Sequence, residues 1–210
     1  MVTPMWVKRV ALLLALLGSG IASAAESALD SLEQRLADMS QLSGTFVQRQ
    51  YVEEGVEPIL SSGRFRLLQP GYFAWDIQSP DSQLVIAGPE FIWHYDRDLE
   101  TVTRRPVAGQ PSLSPLQVLG GREGALAANY TVTAGAKDGE FILQPLTPDA
   151  GFNSLVLSFD GGAISRLTFT DNLGQRVEVD LAELDAQTPL TPADFAFTPP
   201  DGADLFFHDQ

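Results

Sequence analysis

The chain has 210 residues, with 27 acidic against 13 basic side chains, a formal net charge of −14 and no cysteine. That length holds one domain of ordinary size with a buried core. The charge disfavours nucleic acid and unaided adsorption to anionic lipid, and the missing cysteine excludes disulfides, thiol catalysis, Cys-ligated metals and an N-terminal lipid anchor.

Residues 1–24 read as a secretory signal peptide. Lys8 and Arg9 precede an apolar run over 10–17, and Ala22-Ser23-Ala24 supplies the small residues of a cleavage site. The run falls short of the roughly 20 apolar residues that a membrane-spanning helix needs. Cleavage is expected after Ala24, leaving one domain over 25–210 in an exported, soluble and monomeric protein. Its eleven basic and 27 acidic residues then balance at −16.

Residues 26–40 are predicted to form an amphipathic helix. Leu29, Leu32, Leu36 and Met39 recur at spacings of three and four, which places them on one face. Ser27 with Asp30 resembles a capping box at its start, and Gly44 ends the pattern.

The period then changes to two. Eleven strand-like runs follow, at about 42–52, 60–68, 71–78, 83–88, 91–96, 100–105, 129–134, 139–144, 153–160, 163–170 and 175–184. Short connections such as Gln69-Pro70-Gly71, Ser79-Pro80-Asp81, Asp138-Gly139 and Asp160-Gly161-Gly162 have the residues of tight turns, so the sheet should be largely antiparallel. A sheet of about eleven strands should curl. The fold class is therefore mainly β with a few helices. One long interruption at 106–129 lacks the strand pattern. Within it Ser114-Pro115 resembles a helix cap and first turn, Leu116, Val118 and Leu119 make an apolar stripe, and Gly120-Gly121 end it. Such a segment is either a flap over something apolar or a plug in the open end of the sheet.

Enzyme chemistry has no foothold in the sequence. His94 and His208 are isolated, no metal-ligand spacing or nucleophile motif occurs, and most carboxylates sit at turns where they cap backbone. Asp96-Arg97-Asp98 fits either a cation site or a solvated turn. No cofactor is implied, and the chain reads as a binding protein.

The apolar stripes indicate what it binds. Phe65 and Leu67, then Phe73, Trp75 and Ile77, then Phe91, Trp93 and Tyr95, then Leu155, Leu157 and Phe159 alternate along successive strands. Together they make the concave face of the curled sheet strongly apolar. If few helices cover it, a cavity for an apolar ligand results.

In order and spacing, several segments resemble the LolA family of periplasmic lipoprotein carriers, and the resemblance spans essentially residues 25–210. They are Gly44-Thr45-Phe46-Val47-Gln48, Gly63-Arg64-Phe65, Pro70-Gly71-Tyr72-Phe73-Ala74-Trp75, Trp93-His94-Tyr95-Asp96, Ser114-Pro115-Leu116 and Phe195-Ala196-Phe197-Thr198-Pro199-Pro200-Asp201-Gly202. The resemblance implies an unclosed eleven-stranded barrel with a helical lid over an apolar cavity. It implies acylated lipoproteins as cargo, an inner-membrane lipoprotein-releasing ABC transporter as donor and LolB, an outer-membrane receptor, as acceptor. Lipid-contacting residues are expected at Phe65, Leu67, Phe73, Trp75, Ile77, Val85, Trp93, Leu116, Leu119, Leu155, Leu157 and Phe159.

One position departs from the family pattern. Where relatives usually carry an arginine that hydrogen-bonds the lid in the closed, empty state, this chain has Gln69. Glutamine brings two donors and no charge against arginine's five donors and fixed charge, so a weaker latch is expected. Arg64 and Arg66 are expected on the opposite face of their strand from Phe65 and Leu67. Carriage of another lipid by a related protein and a lipid-sensing regulatory module remain as alternatives. The known sensors with this fold carry a second domain, for which 210 residues leave no room.

Overall fold

The computed structural model of the chain describes residues 20–53, 55–107, 115–120, 124–147 and 151–208. The basic and apolar parts of the expected signal, and Ser114, lie outside the described residues. Helix α1 runs Gly20–Ala37. Six strands follow: β1 Gln41–Tyr51, β2 Ile59–Leu68, β3 Tyr72–Ser79, β4 Gln83–Ala87, β5 Phe91–Asp96 and β6 Thr101–Pro106. A 3-10 helix over Pro115–Gly120 and the short α2, Ala125–Asn129, interrupt the strands. Then come β7 Tyr130–Ala134, β8 Glu140–Pro145, β9 Phe152–Asp160, β10 Ala163–Asp171 and β11 Arg176–Asp185. A 3-10 turn at Pro192–Phe195 and β12, Asp204–Phe207, close the chain.

All twelve strands form one curled, unclosed sheet in the order β12-β6-β5-β4-β3-β2-β1-β11-β10-β9-β8-β7. Two meanders, β1 to β6 and β7 to β11, join where β1 pairs with β11. Every pair is antiparallel except β12 with β6; short connections join most neighbours, whereas β1 and β11 meet from distant parts of the chain. That twelfth strand has no counterpart in the period-two pattern. Its four residues read Asp-Leu-Phe-Phe, too short to show alternation, and its partner lies about a hundred residues back in the chain. Where β2 meets β3 the backbones approach closely: a side chain at Gly63 would place its first carbon 1.9 Å from the Asp76 carbonyl oxygen. Only glycine fits there.

Helix α1 crosses the concave face. Leu32 and Leu36 are fully covered, and Leu29 and Met39 pack beside them as their spacing requires. The helix begins at Gly20, however, so Ser27 is an interior position rather than a cap. The residues ahead of it are mostly alanine, serine and isoleucine, which continue a helix at little cost. Among the described residues, no helix is long and apolar enough to cross a membrane.

Candidate functional site: an apolar concave face and its cover

The site is built by cross-strand register. Leu67 lies opposite Phe73, and Phe65 opposite Trp75. Trp75 lies opposite Val85. On the other meander, Leu157 pairs with Leu167 on one side and Phe141 on the other. Directly paired residues in antiparallel strands project to the same face, so these side chains converge. Phe65, Leu67, Phe73, Trp75, Leu155, Leu157 and Phe159 are all buried in one cluster, with Ile77 and Val85 half-buried at its margin.

Phe46 sits at the centre of this face, though it is not among the residues expected to contact lipid. Its ring stacks on Trp75 at 3.6 Å between centroids, and Phe73 and Phe65 flank Trp75 at 5.9 and 6.1 Å. The signal was present in the alternation of Leu42, Gly44 and Phe46 along β1. Across the sheet, the Arg35 guanidinium of α1 lies over the Phe141 and Phe159 rings at 5.7 and 5.4 Å.

Helices cover the concavity among the described residues. Leu32 and Leu36 of α1, Val118 and Leu119 of the 3-10 helix and Leu126 of α2 fill it and belong to the same cluster as the strand residues. In this state the described helices pack against the apolar face that was expected to line a cavity. The physical reason is that any apolar face left exposed costs about 25 cal/mol per Å2, so the chain's own helices cover it when nothing else does. Leu116 lies in the 3-10 helix, but its side chain is outside the described residues.

Gln69 stands where cover and sheet meet. Its Nε2 donates to the Leu36 carbonyl of α1 at 3.0 Å and to the Leu119 carbonyl of the 3-10 helix at 3.2 Å. The backbone adds two more ties, Gln69 N–H to the Ser40 carbonyl at 2.8 Å and Gly71 N–H to the Gly120 carbonyl at 3.0 Å. Both amide hydrogens of one neutral side chain thus reach carbonyls at the ends of two helices, where backbone partners run short; the Leu36 carbonyl also accepts the Met39 N–H at 3.1 Å.

Trp93 departs from its expected place. It lies opposite Ile86 and Arg104, on the outer face, whereas Ile92 and His94 share the face of Phe73 and Trp75. The aromatic side of β5, Phe91, Trp93 and Tyr95, faces outward and its more polar side, Ile92, His94 and Asp96, faces the concavity; alternation shows that the two sides differ but not which one turns inward, and the pairing with β4 decides it. The outer face is also partly covered. Residues 190–197 cross it, Phe195 packs with Ala74 and Ile86, and Phe197 meets the Trp93 and Tyr95 rings at 5.5 and 5.9 Å. Arg64 and Arg66 are on this outer face, as parity requires, beside a cleft of about 400 Å3 that also involves Thr45, Asp76 and Glu183.

The three residues Asp96-Arg97-Asp98 form a turn. Asp96 caps the Asp98 and Leu99 N–H groups, Asp98 accepts from the Ser82 N–H, and Arg97 pairs with Asp76 at 2.8 Å.

His94 lies on the concave side, with Nε2 3.2 Å from the Gln83 side-chain oxygen. Burial pushes its pKa below the ordinary 6.5; Asp96 opposes that shift and Arg105 adds to it. The unfolded chain then takes the proton first as pH falls. His94 should cost stability progressively from about pH 6.5 downward until its folded-state pKa is passed. The expected result is a melting temperature that declines less between pH 7 and pH 5 in His94→Gln than in the natural protein. Parallel declines would show that His94 does not contribute.

Comparison with known proteins agrees with this architecture. The family model described as outer membrane lipoprotein carrier protein LolA matches residues 37–198. The outer-membrane lipoprotein carrier protein of Methylococcus capsulatus is 32% identical over 202 residues, covering 94% of this chain and 97% of its own. That of Dechloromonas aromatica is 33% identical over 181 residues, covering 85% and 86%. A solved LolA superfamily protein from Nitrosomonas europaea superposes with a TM-score of 0.53 at 11% identity, over 83% of this chain and 98% of that one, a likeness of fold. On the family match and these relatives together, the chain belongs to the LolA family of outer membrane lipoprotein carrier proteins.

Proposed function

We propose that this protein carries acylated lipoproteins through the periplasm, taking them from an inner-membrane ABC transporter and handing them to a LolB-like outer-membrane receptor. The observation that carries the reading is an apolar concave face whose cover consists of helices tied to the sheet by a few hydrogen bonds. Three acyl chains hold on the order of 45 methylenes, and at about 0.8 kcal/mol each their exposure to water costs roughly 35 kcal/mol. They cross an aqueous space only when covered. Phe65, Leu67, Phe73, Trp75, Ile77, Val85, Leu155, Leu157 and Phe159, together with Leu116 and Leu119 of the cover, supply that surface once the helices move aside.

An apolar face also suits release. Contacts without directional polar grip are surrendered as readily as a receptor's own apolar surface replaces them. When the cargo has left, the helices return and limit exposed apolar area. The protein acts here as a carrier and not as a catalyst.

Depletion in the native host tests this reading. Lipoproteins destined for the outer membrane should accumulate in the inner-membrane fraction, and the carrier itself should be recovered from periplasmic extract as a monomer beginning at Ala25. An unchanged distribution of lipoproteins would overturn the assignment. Native mass spectrometry of the purified protein that revealed a different bound lipid would redirect it to another cargo.

A further inference from the structure

Strand β12 carries three consecutive apolar side chains, and all are exposed: Leu205 at 46%, Phe206 at 52% and Phe207 at 52%. It is also an outermost strand of the sheet. Sheet edges are ordinarily protected by charge, proline or brevity, because an apolar edge invites unwanted pairing. Asp204 opens this four-residue strand and His208 follows it, yet its remaining three side chains are apolar and exposed.

Register shows where each side chain goes. Phe65 pairs with Trp75, Trp75 with Val85, Val85 with His94, His94 with Thr103 and Thr103 with Phe206. One row therefore runs across six strands from the centre of the concave face to Phe206, and neighbours in such a row share a face. Leu205 and Phe207 belong to the opposite set, aligned with Val102 and Arg104. The Arg104 guanidinium lies 4.6 Å from the Phe207 ring and 4.4 Å from the Phe91 ring, which holds Phe207 on the outer side. That anchor commits Phe206 to the concave side.

Among the described residues, the helices of the cover make their main contacts elsewhere. The 3-10 helix packs on β2 and β3, and α1 packs toward β7 at the other edge. Between the covered core and Phe206 the concave side of β5 and β6 is more polar, with His94, Asp96, Thr101 and Thr103. Phe206 is thus an apolar position beyond a polar strip, on the same face as the covered acyl surface.

We propose that β12 extends the acyl-binding face past the helical cover and that Phe206 contacts a fatty-acyl chain of the bound cargo. The proposal rests on the carrier reading above. Its ground is continuity: the row that begins at Phe65 and Trp75 ends on a half-exposed phenylalanine with no ring contact of its own among the described residues.

The test uses a tripalmitoyl-cysteinyl lipopeptide and a photoreactive benzoylphenylalanine placed singly at Val85, Leu205 or Phe206 of the full chain. Capture is expected at Val85 and Phe206 and not at Leu205. Capture at Val85 alone overturns the proposal and leaves the carrier reading standing. Capture at none of the three overturns the carrier reading. Equal capture at Leu205 and Phe206 also overturns the proposal, since it marks an indiscriminate greasy edge. Separately, Phe206→Ser should leave the melting temperature unchanged and weaken lipopeptide binding roughly fivefold, about what half-burying a phenyl ring contributes. Unchanged affinity overturns the proposal, including the case in which Phe206→Ser only abolishes self-association through β12.

Discussion

Trp75→Ala is expected to lower the melting temperature by about 10 °C. The indole is buried, stacked on Phe46 at 3.6 Å, and flanked by Phe73 and Phe65. Truncating a large aromatic in a packed core costs about 3–5 kcal/mol, through lost transfer energy and the cavity left behind. In a domain of this size each kcal/mol moves the midpoint by roughly 2–4 °C. Trp75→Phe keeps a ring against Phe46 and should lose much less. Thermal denaturation followed by circular dichroism reads both. A shift under about 2 °C for the alanine variant would mean that the helices do not pack on Trp75 in the empty protein. The same truncation removes a central part of the acyl surface, so lipopeptide binding should fall along with stability. Phe73→Glu should be harsher still on binding, because a carboxylate placed among Leu67, Trp75 and the cover is either desolvated or forces the cover away.

Gln69→Leu is expected to open the empty protein. Leucine keeps the approximate volume of glutamine but offers nothing to the Leu36 and Leu119 carbonyls, which now accept from Nε2 at 3.0 and 3.2 Å. Two neutral hydrogen bonds contribute about 1–3 kcal/mol together, so the ratio of closed to open forms should fall about tenfold. An environment-sensitive apolar dye should bind the variant more strongly than the natural protein. Gln69→Arg should act in the other direction, since charge-assisted hydrogen bonds to the same carbonyls are about twice as strong as neutral ones. Equal dye binding by all three proteins would show that Val118, Leu119 and Leu126 hold the cover by packing alone. The Gly71 to Gly120 backbone bond survives in every variant, so the difference isolates the side chain.

Gln69 also illustrates how a local reading stops short of a site. Counted as a substitution for arginine, it suggests a weaker latch. In the folded chain it is one donor group shared between two helix ends, a geometry that depends on α1 and the 3-10 helix arriving at the same point. Neither the distance of 33 residues back to Leu36 nor that of 50 forward to Leu119 leaves a trace in sequence spacing.

What the amino-acid order determined by itself is everything that repeats over short range. Alternation at period two marked eleven of the twelve strands, because a half-buried strand must put like residues on one face. Glycine, proline and aspartate clusters marked the hairpins, because few residues tolerate those backbone angles. The spacing of Leu29, Leu32 and Leu36 marked the face of α1 that meets the sheet. Tertiary structure decided the rest. Trp93 went to the outer face because alternation says only that two sides differ, and the pairing with β4 chooses which side of β5 turns inward. Strand β12 formed because β6 offered an unpaired edge to four residues too few to carry a pattern. The concave face is covered in this state because helices distant in the chain pack on it, and apolar surface stays covered by whatever apolar surface can reach it.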